Sequence, residues 1–285
     1  MKRSPFRLAM QRLLRNRVAI LGGVLLALIA FGCVVLPFLL ELDPNLTQPA
    51  LRNQPPSMRF LFGTDGLGRD LVARVLVGGR TSLLVGLAAT AVSVIVGVAY
   101  GAIAGFYGGK VDEAMMRLVD FMYGLPYMFL VILIMLMFSE TARGDMLPVF
   151  LALGLVQWLT MARIVRGQVL ALRRQEFVLA AELLGASDAR LLIRHVLPNV
   201  LGVIMVYATL MVPSVIILES FLSFLGLGVA LSWGQLVSDG IAVINPIRSY
   251  WWILLWPSLF LGVTLISLNF LGDGLRDALD PKGKT

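Results

Sequence analysis

His195, Cys33 and the turn Gly108-Gly109-Lys110 are the residues of this chain whose types most readily suggest chemistry, and each fails the test of its neighbours. His195 is the only histidine, and a single imidazole does not assemble a metal site, which takes three or four ligands. Cys33 is the only cysteine, so no intrachain disulfide can form. It lies in an apolar run, where a lone thiol behaves as a small hydrophobe. A phosphate-binding loop needs a glycine five residues before the second glycine and a Ser or Thr after the lysine. Those positions hold Ala104 and Val111, so the chain is expected to carry no ATP site of its own. The Gly-x-Ser-x-Gly nucleophile turn is absent. The expectation is therefore no catalytic residue, no metal and no cofactor within this chain.

Charge is just as sparse where it would matter for ion coupling. Glu219 sits at the outer end of one apolar run, and Asp120 and Arg163 near the inner ends of others. Proton- or sodium-driven carriers need relays of ionisable groups inside the membrane. None is visible, which argues against an ion-coupled carrier and places the source of energy outside the chain.

The elements that carry these residues are set by hydropathy. Of 285 residues, 58% are hydrophobic and 14% charged; a soluble domain has roughly 45–50% apolar and about 25% charged residues. The excess falls in six runs: 18–40, 83–104, 121–138, 147–162, 197–218 and 252–271. A bilayer core takes about 20 apolar residues per helix. Backbone groups in lipid must be satisfied within the segment, so the runs are predicted to be helices; none alternates as barrel strands do. The fold class is an all-α membrane protein with six transmembrane helices. The first run exceeds the roughly 7–15 apolar residues of a signal peptide and lacks a small-residue cleavage site, so it is expected to be a retained anchor.

If the N-terminus is cytosolic, inside segments hold 17 of the 24 Lys and Arg residues. That is the positive-inside bias of an N-in, C-in protein. It accounts for the net charge of +7 without nucleic acid, because the basic residues are dispersed over separate loops. Residues 1–80 are expected to form an N-terminal transmembrane helix and an extracytoplasmic loop. Residues 81–285 would form a five-helix core. Leu71 to Leu76 suggest a short interfacial helix before the second span. Gly97, Gly101 and Gly105, four apart on one face of that span, are expected to admit a close helix neighbour. Pro126 in the third span and Pro213 in the fifth should kink their helices.

Residues 173–198 form a loop on the cytosolic side between spans four and five. Phe177, Ala180, Ala181 and Leu184 recur at i, i+3, i+4 and i+7, one face of an amphipathic helix. Gly185 suits the left-handed position after a helix end. Ser187 is placed to cap a second helix, with Asp188 favouring its positive end. Small alanines on the first helix would permit close approach by a soluble partner; the bland alternative is a helix lying on lipid.

This segment resembles the EAA loop of ABC importer permeases. Ala180, Ala181, Gly185, Leu197 and Pro198 match that pattern, while Leu179 stands where the family has Glu and His195 where it has Ile. Leu61 to Asp65 with Gly68-Arg69-Asp70 resembles the outside segment of dipeptide, oligopeptide and nickel permeases. Ser223 to Gly228, Trp233-Gly234 and Gly272 to Pro281 resemble the C-type subunits of those systems, and the likeness covers nearly the whole chain. It implies a type I importer permease fold in the bacterial cytoplasmic membrane and a heterodimer with a B-type permease. It also implies two ATPase subunits that bind ATP and Mg and an extracytoplasmic binding protein that delivers substrate. The implied ATPase-coupling residues are Phe177, Ala180, Ala181, Leu184, Gly185, Leu197 and Pro198. The implied cargo is an oligopeptide, with dipeptides, nickel or another small solute as the alternative.

Overall fold

The computed structural model describes residues 10–137, 146–244 and 249–279. The basic stretch Lys2, Arg3 and Arg7, the end of the third apolar run at Phe138, and the Asp280-Pro281 pair lie outside the described residues. Among the described residues the regular structure is helical, with one isolated β-bridge between Thr64 and Asp70.

Helix α1, Arg17–Val34, begins where the Asn16 side chain accepts from the Val18 and Ala19 amides at 3.1 and 3.2 Å. It continues into a helical turn, Leu36–Leu39. Helix α2, Leu71–Tyr107, starts on Asp70, whose carboxylate accepts from the Val72 amide at 2.8 Å. Its 37 residues span about 55 Å at 1.5 Å per residue, well beyond a bilayer core. The expected interfacial helix at Leu71 to Leu76 is therefore no separate element; it is the first turns of α2. No proline stands between residue 70 and Gly108, and the glycines within the segment stay helical where they are packed.

The third span also differs from expectation. Phe121 to Gly124 end an amphipathic helix, α3, Gly109–Gly124. Helix α4, Tyr127–Met137, follows at 87° to it. Pro126 makes that corner: it has no amide to donate, and its preceding residue is pushed out of the helical region. Helix α5 is Met146–Arg173 and α6 is Glu176–Leu183. The expected second helix of the loop is not separate. A turn at Asp188–Arg190 and a π-helical stretch, Leu191–Val196, lead straight into α7, Leu197–Phe224. Ser187 occupies the N-cap position, but its side chain makes no capping bond. Helix α7 runs through Pro213 without interruption. Helix α8, Trp233–Ala242, is capped by Ser232 through the Gln235 amide at 3.2 Å. Helix α9, Trp251–Leu279, extends past residue 271, so Gly272 to Leu279 are helical.

Packing fixes the relative directions. A Cβ at Gly97 would lie 2.6 Å from the Met161 Cβ and 2.7 Å from the Trp158 carbonyl. One at Gly101 would collide with the Ala162 carbonyl, and one at Gly105 would lie 2.6 Å from the Arg166 carbonyl. Numbers rise together along α2 and α5, so these two helices are parallel and their backbones touch. The chain between them must return across the bundle, and among the described residues α3 with α4 is the stretch that can do it. The bent pair therefore counts as one crossing, which brings the crossings among the described residues to six. Helix α1 packs antiparallel on α9: a Cβ at Gly22 would lie 2.8 Å from the Ser267 carbonyl. Helix α1 thus starts at the end of the bundle where α9 stops; this is the basal end, and the other the apical end.

Candidate functional site

The basal end carries a protruding helical knob. Helix α6 stops in a Schellman turn: the Ala186 amide donates to the Ala181 carbonyl at 3.1 Å, and the Gly185 amide to the Glu182 carbonyl at 2.9 Å. Gly185 has φ +83° and open space around it. Glycine is required there by backbone conformation and not by a crowded neighbour. Val178 is buried, and Ala181 and Ala186 pack with it against Phe106, Val165, Val169, Leu191 and Val196. The Arg173 guanidinium donates to the Phe106 carbonyl and lies over the Phe106 ring, 4.7 Å from its centre. The knob is therefore seated on the basal ends of α2, α5 and α7 at once.

The structure separates the residues expected to share the knob's outer face. Phe177 and Ala180 are exposed, and Leu183 and Leu184 are each 89% exposed. Ala181 turns the other way, half-buried against the chain's own core. Leu183 was missed and joins the exposed face. Leu197 is half-buried in the seat, and Pro198 is exposed in the first turn of α7. His195 is half-buried in the π-helical stretch, its carbonyl accepting from the Asn199 side chain at 2.6 Å. Gly97, Gly101 and Gly105 lie in the α2–α5 contact, away from the knob's surface.

The apical end is closed by the Phe62 to Asp70 segment. Gly63 and Gly68 take φ +80° and +76°. The Asp65 carboxylate accepts from the Leu67 and Arg69 amides at 2.8 and 2.9 Å, from the Arg69 side chain at 2.7 Å, and from Arg74. Arg74, 5% exposed, reaches on to Asp239 of α8 at 3.5 Å. Burial pushes the Asp65 carboxyl up, but the Arg69 and Leu67 hydrogen bonds and the Arg74 charge outweigh it and hold it below its ordinary value. Phe62 stacks on Trp256 with ring centres 4.1 Å apart, and the Trp252 indole donates to the Thr64 carbonyl at 3.2 Å. Glu219 is fully buried nearby. It accepts from Ser223 at 2.6 Å and Ser82 at 3.4 Å, and Ser82 in turn accepts from the Trp233 amide at 3.1 Å. These contacts bind the first loop, α2, α7 and α8 into one cap. Ser82 had no sequence signal, because its partners Glu219 and Trp233 lie far off along the chain.

Comparison with known proteins agrees with this architecture. The model of a family described as the inner membrane component of binding-protein-dependent transport systems matches residues 97–284. The model of the N-terminal transmembrane domain of oligopeptide transport permease C matches residues 4–56. The chain is 49% identical to the oligopeptide transport system permease protein OppC of Escherichia coli (strain K12), covering 99% of this chain and 93% of that protein. It is 42% identical to OppC of Bacillus subtilis (strain 168), covering 96% and 88%. Identity to the dipeptide transport system permease protein DppC of the same organism is also 42%, covering 96% and 85%.

Proposed function

Because this chain belongs to the family of inner membrane components of binding-protein-dependent transport systems, we propose that it is one permease half of an ATP-driven oligopeptide importer. Helix α6 is its coupling knob. The carrying observation is the arrangement at the basal end: an apolar tip of Phe177, Leu183 and Leu184, exposed to a depth that solvent would not favour, on a base locked to three spans. Exposed apolar clusters of this kind mark interaction surfaces. The basal end is cytosolic in this reading, in line with the positive-inside bias. Two ATPase subunits holding ATP and Mg dock there, a second, B-type permease completes the conduit, and an extracytoplasmic binding protein delivers substrate at the apical cap. ATP-driven closure of the ATPases displaces the knobs, and the spans rock between outward and inward openings. This chain contributes no ATP site; Lys110 follows a glycine pair but lacks the rest of a phosphate loop.

The names of the relatives support a peptide cargo. The equal identity to one oligopeptide and one dipeptide permease makes dipeptides the second reading, and uptake of labelled peptides of graded length decides between them. The coupling role is tested by Leu184→Arg. This side chain touches almost nothing in its own chain, so folding and membrane level should be unchanged. Co-purification of the ATPases should fall by at least tenfold, since burying an unpaired charge in a packed contact costs several kcal/mol. Wild-type recovery of ATPases and wild-type uptake would defeat the role. Ala181→Arg is a poorer probe, because it strikes the chain's own core.

A further inference from the structure

Glu219 is the most deeply buried acid among the described residues, at 0% exposure in the last turns of α7. Its surroundings are hydroxyls. Ser223 donates to its Oε1 at 2.6 Å and lies 3.0 Å from the Ser232 hydroxyl. The Ser82 hydroxyl lies 3.4 Å from its Oε2 and accepts from the Trp233 amide at 3.1 Å. All three serines are fully buried. Three elements thus meet at one carboxyl: α2 through Ser82, the end of α7 through Ser223, and the start of α8 through Ser232 and Trp233. The turn from α7 to α8 is drawn in tightly at this point, since a Cβ at Gly228 would collide with the Ser223 hydroxyl.

No base answers this acid. Helices α7 and α8 contain no Lys, Arg or His, and α9 has none before Gly272. The two arginines of the apical half of α2 are engaged elsewhere: Arg74 with Asp65 and Asp239, and Arg80 over the Phe38 ring. Asp65 shows what an ionised carboxylate takes in this protein: two backbone amides and two arginines. Hydroxyl bonds to a carboxylate anion run at about 2.5–2.7 Å. Ser223 meets that standard and Ser82 does not, so an ionised Glu219 would be buried on one good donor. A buried charge left so poorly paired is avoided by keeping the proton. The neutral acid suits the same surroundings, because it has one O–H to give and a carbonyl to receive. The Ser82–Glu219 contact then runs from acid to hydroxyl. The Ser82 hydrogen is left to a carbonyl one turn back, a common bond for serine in a helix.

We infer that Glu219 is a positioning residue that works as a neutral acid: it carries its proton, donates to Ser82, accepts from Ser223, and so fixes the apical end of α7 to α2 and α8. Helix α7 seats the knob at its other end, so this joint sets how the apical cap is held on a helix that reaches the knob. The transport readout rests on the reading of the chain as a peptide permease; the spectroscopic one does not. The test uses the complete importer reconstituted in vesicles with its binding protein. At neutral pH the infrared spectrum should show a protonated-carboxyl C=O stretch that is missing from Glu219→Gln. In Ser223→Ala, which removes a donor to that carbonyl, the band should persist at higher frequency. Glutamine has the same length, no charge, and both donates and accepts. Glu219→Gln should therefore keep peptide uptake and peptide-stimulated ATP hydrolysis within about twofold of wild type. Glu219→Leu strands the buried serines; ATPase co-purification should be unchanged, while uptake should fall at least about tenfold. Absence of a Glu219-dependent band, or a glutamine variant as impaired as the leucine one, would mean an ionised carboxylate and overturn the inference. Wild-type uptake by Glu219→Leu would overturn it too, by denying the positioning role. Should the leucine variant fail to assemble, the band and the glutamine variant still decide. A wild-type complex that imports no peptide would instead sink the functional reading, with the band left to judge the acid.

Discussion

At Asp65 one carboxylate answers to four donors, two of them backbone amides of its own turn and two of them arginines. A buried pair such as Asp65–Arg74 adds little against an apolar replacement, yet removing one partner strands the other charge. Arg74→Met should therefore cost about 3–5 kcal/mol, read as loss of heat resistance of the purified complex and as protease cutting between residues 53 and 70. The pH dependence follows from the lowered folded value of Asp65. Its stabilisation is complete above the unfolded value, about pH 4. It is lost as pH falls through the lower folded value. The protection of the Gly63 and Leu71 amides from hydrogen exchange, relative to the intrinsic rate at each pH, should hold down to about pH 4 and fall below it; protection already lost at neutral pH would contradict the assignment. The sequence marked this segment only by resemblance. Arg74 and Asp239 are not helix neighbours of Asp65, and residue spacing speaks only for neighbours.

Elements were legible in proportion to how much their own residues decide. The long apolar runs announced spans because the bilayer leaves the backbone no alternative. The ends of α2, α7 and α9 were drawn too short, since hydropathy marks the lipid boundary and says nothing of a helix that continues beyond it. Helix α6 was found, but its orientation was not. Seven of the nine residues from Glu176 to Leu184 are apolar, so the 3.6-residue period selects no face, and the seat provided by Phe106, Val165 and Val169 settles the matter. Glycine spacing on α2 predicted a neighbour without naming it. The close approach to α5 gives a clean contrast between two one-methyl changes. Gly101→Ala drives a Cβ onto the Ala162 carbonyl and should destabilise by about 1–3 kcal/mol. At Gly262 of α9 nothing lies within 4 Å, so Gly262→Ala should be neutral or stabilise by up to about 1 kcal/mol. The fraction of complex surviving a heat step measures both, and equal behaviour would deny that the α2–α5 contact is tight.

For the whole molecule, the parallel run of α2 and α5 decides the topology more firmly than any hydropathy profile. Among the described residues, five helices are long and apolar enough to cross alone, and the sixth crossing is the α3–α4 pair bent by 87°. Had that pair dipped in and come back, α5 would have to run antiparallel to α2. The register from Gly97 against Met161 to Gly105 against Arg166 excludes this. An even number of crossings puts the start of α1 and the end of α9 on one side, and the dispersed arginines of the basal loops argue for a cytosolic placement of that side, as the proposed function requires. Two exposed positions test this in a background with Cys33→Ala, a change at a buried site. Met58, 98% exposed, lies in the loop between α1 and α2, and Asp277 is exposed near the end of α9. A membrane-impermeant thiol reagent applied to intact cells should label Met58→Cys and leave Asp277→Cys untouched until the membrane is opened. If α3–α4 does not cross, both positions label from outside. If the crossings are six but the orientation is inverted, only Asp277→Cys does. Either pattern would move the coupling knob to the wrong face for an ATP-bearing partner, and the proposed mechanism would fall with it.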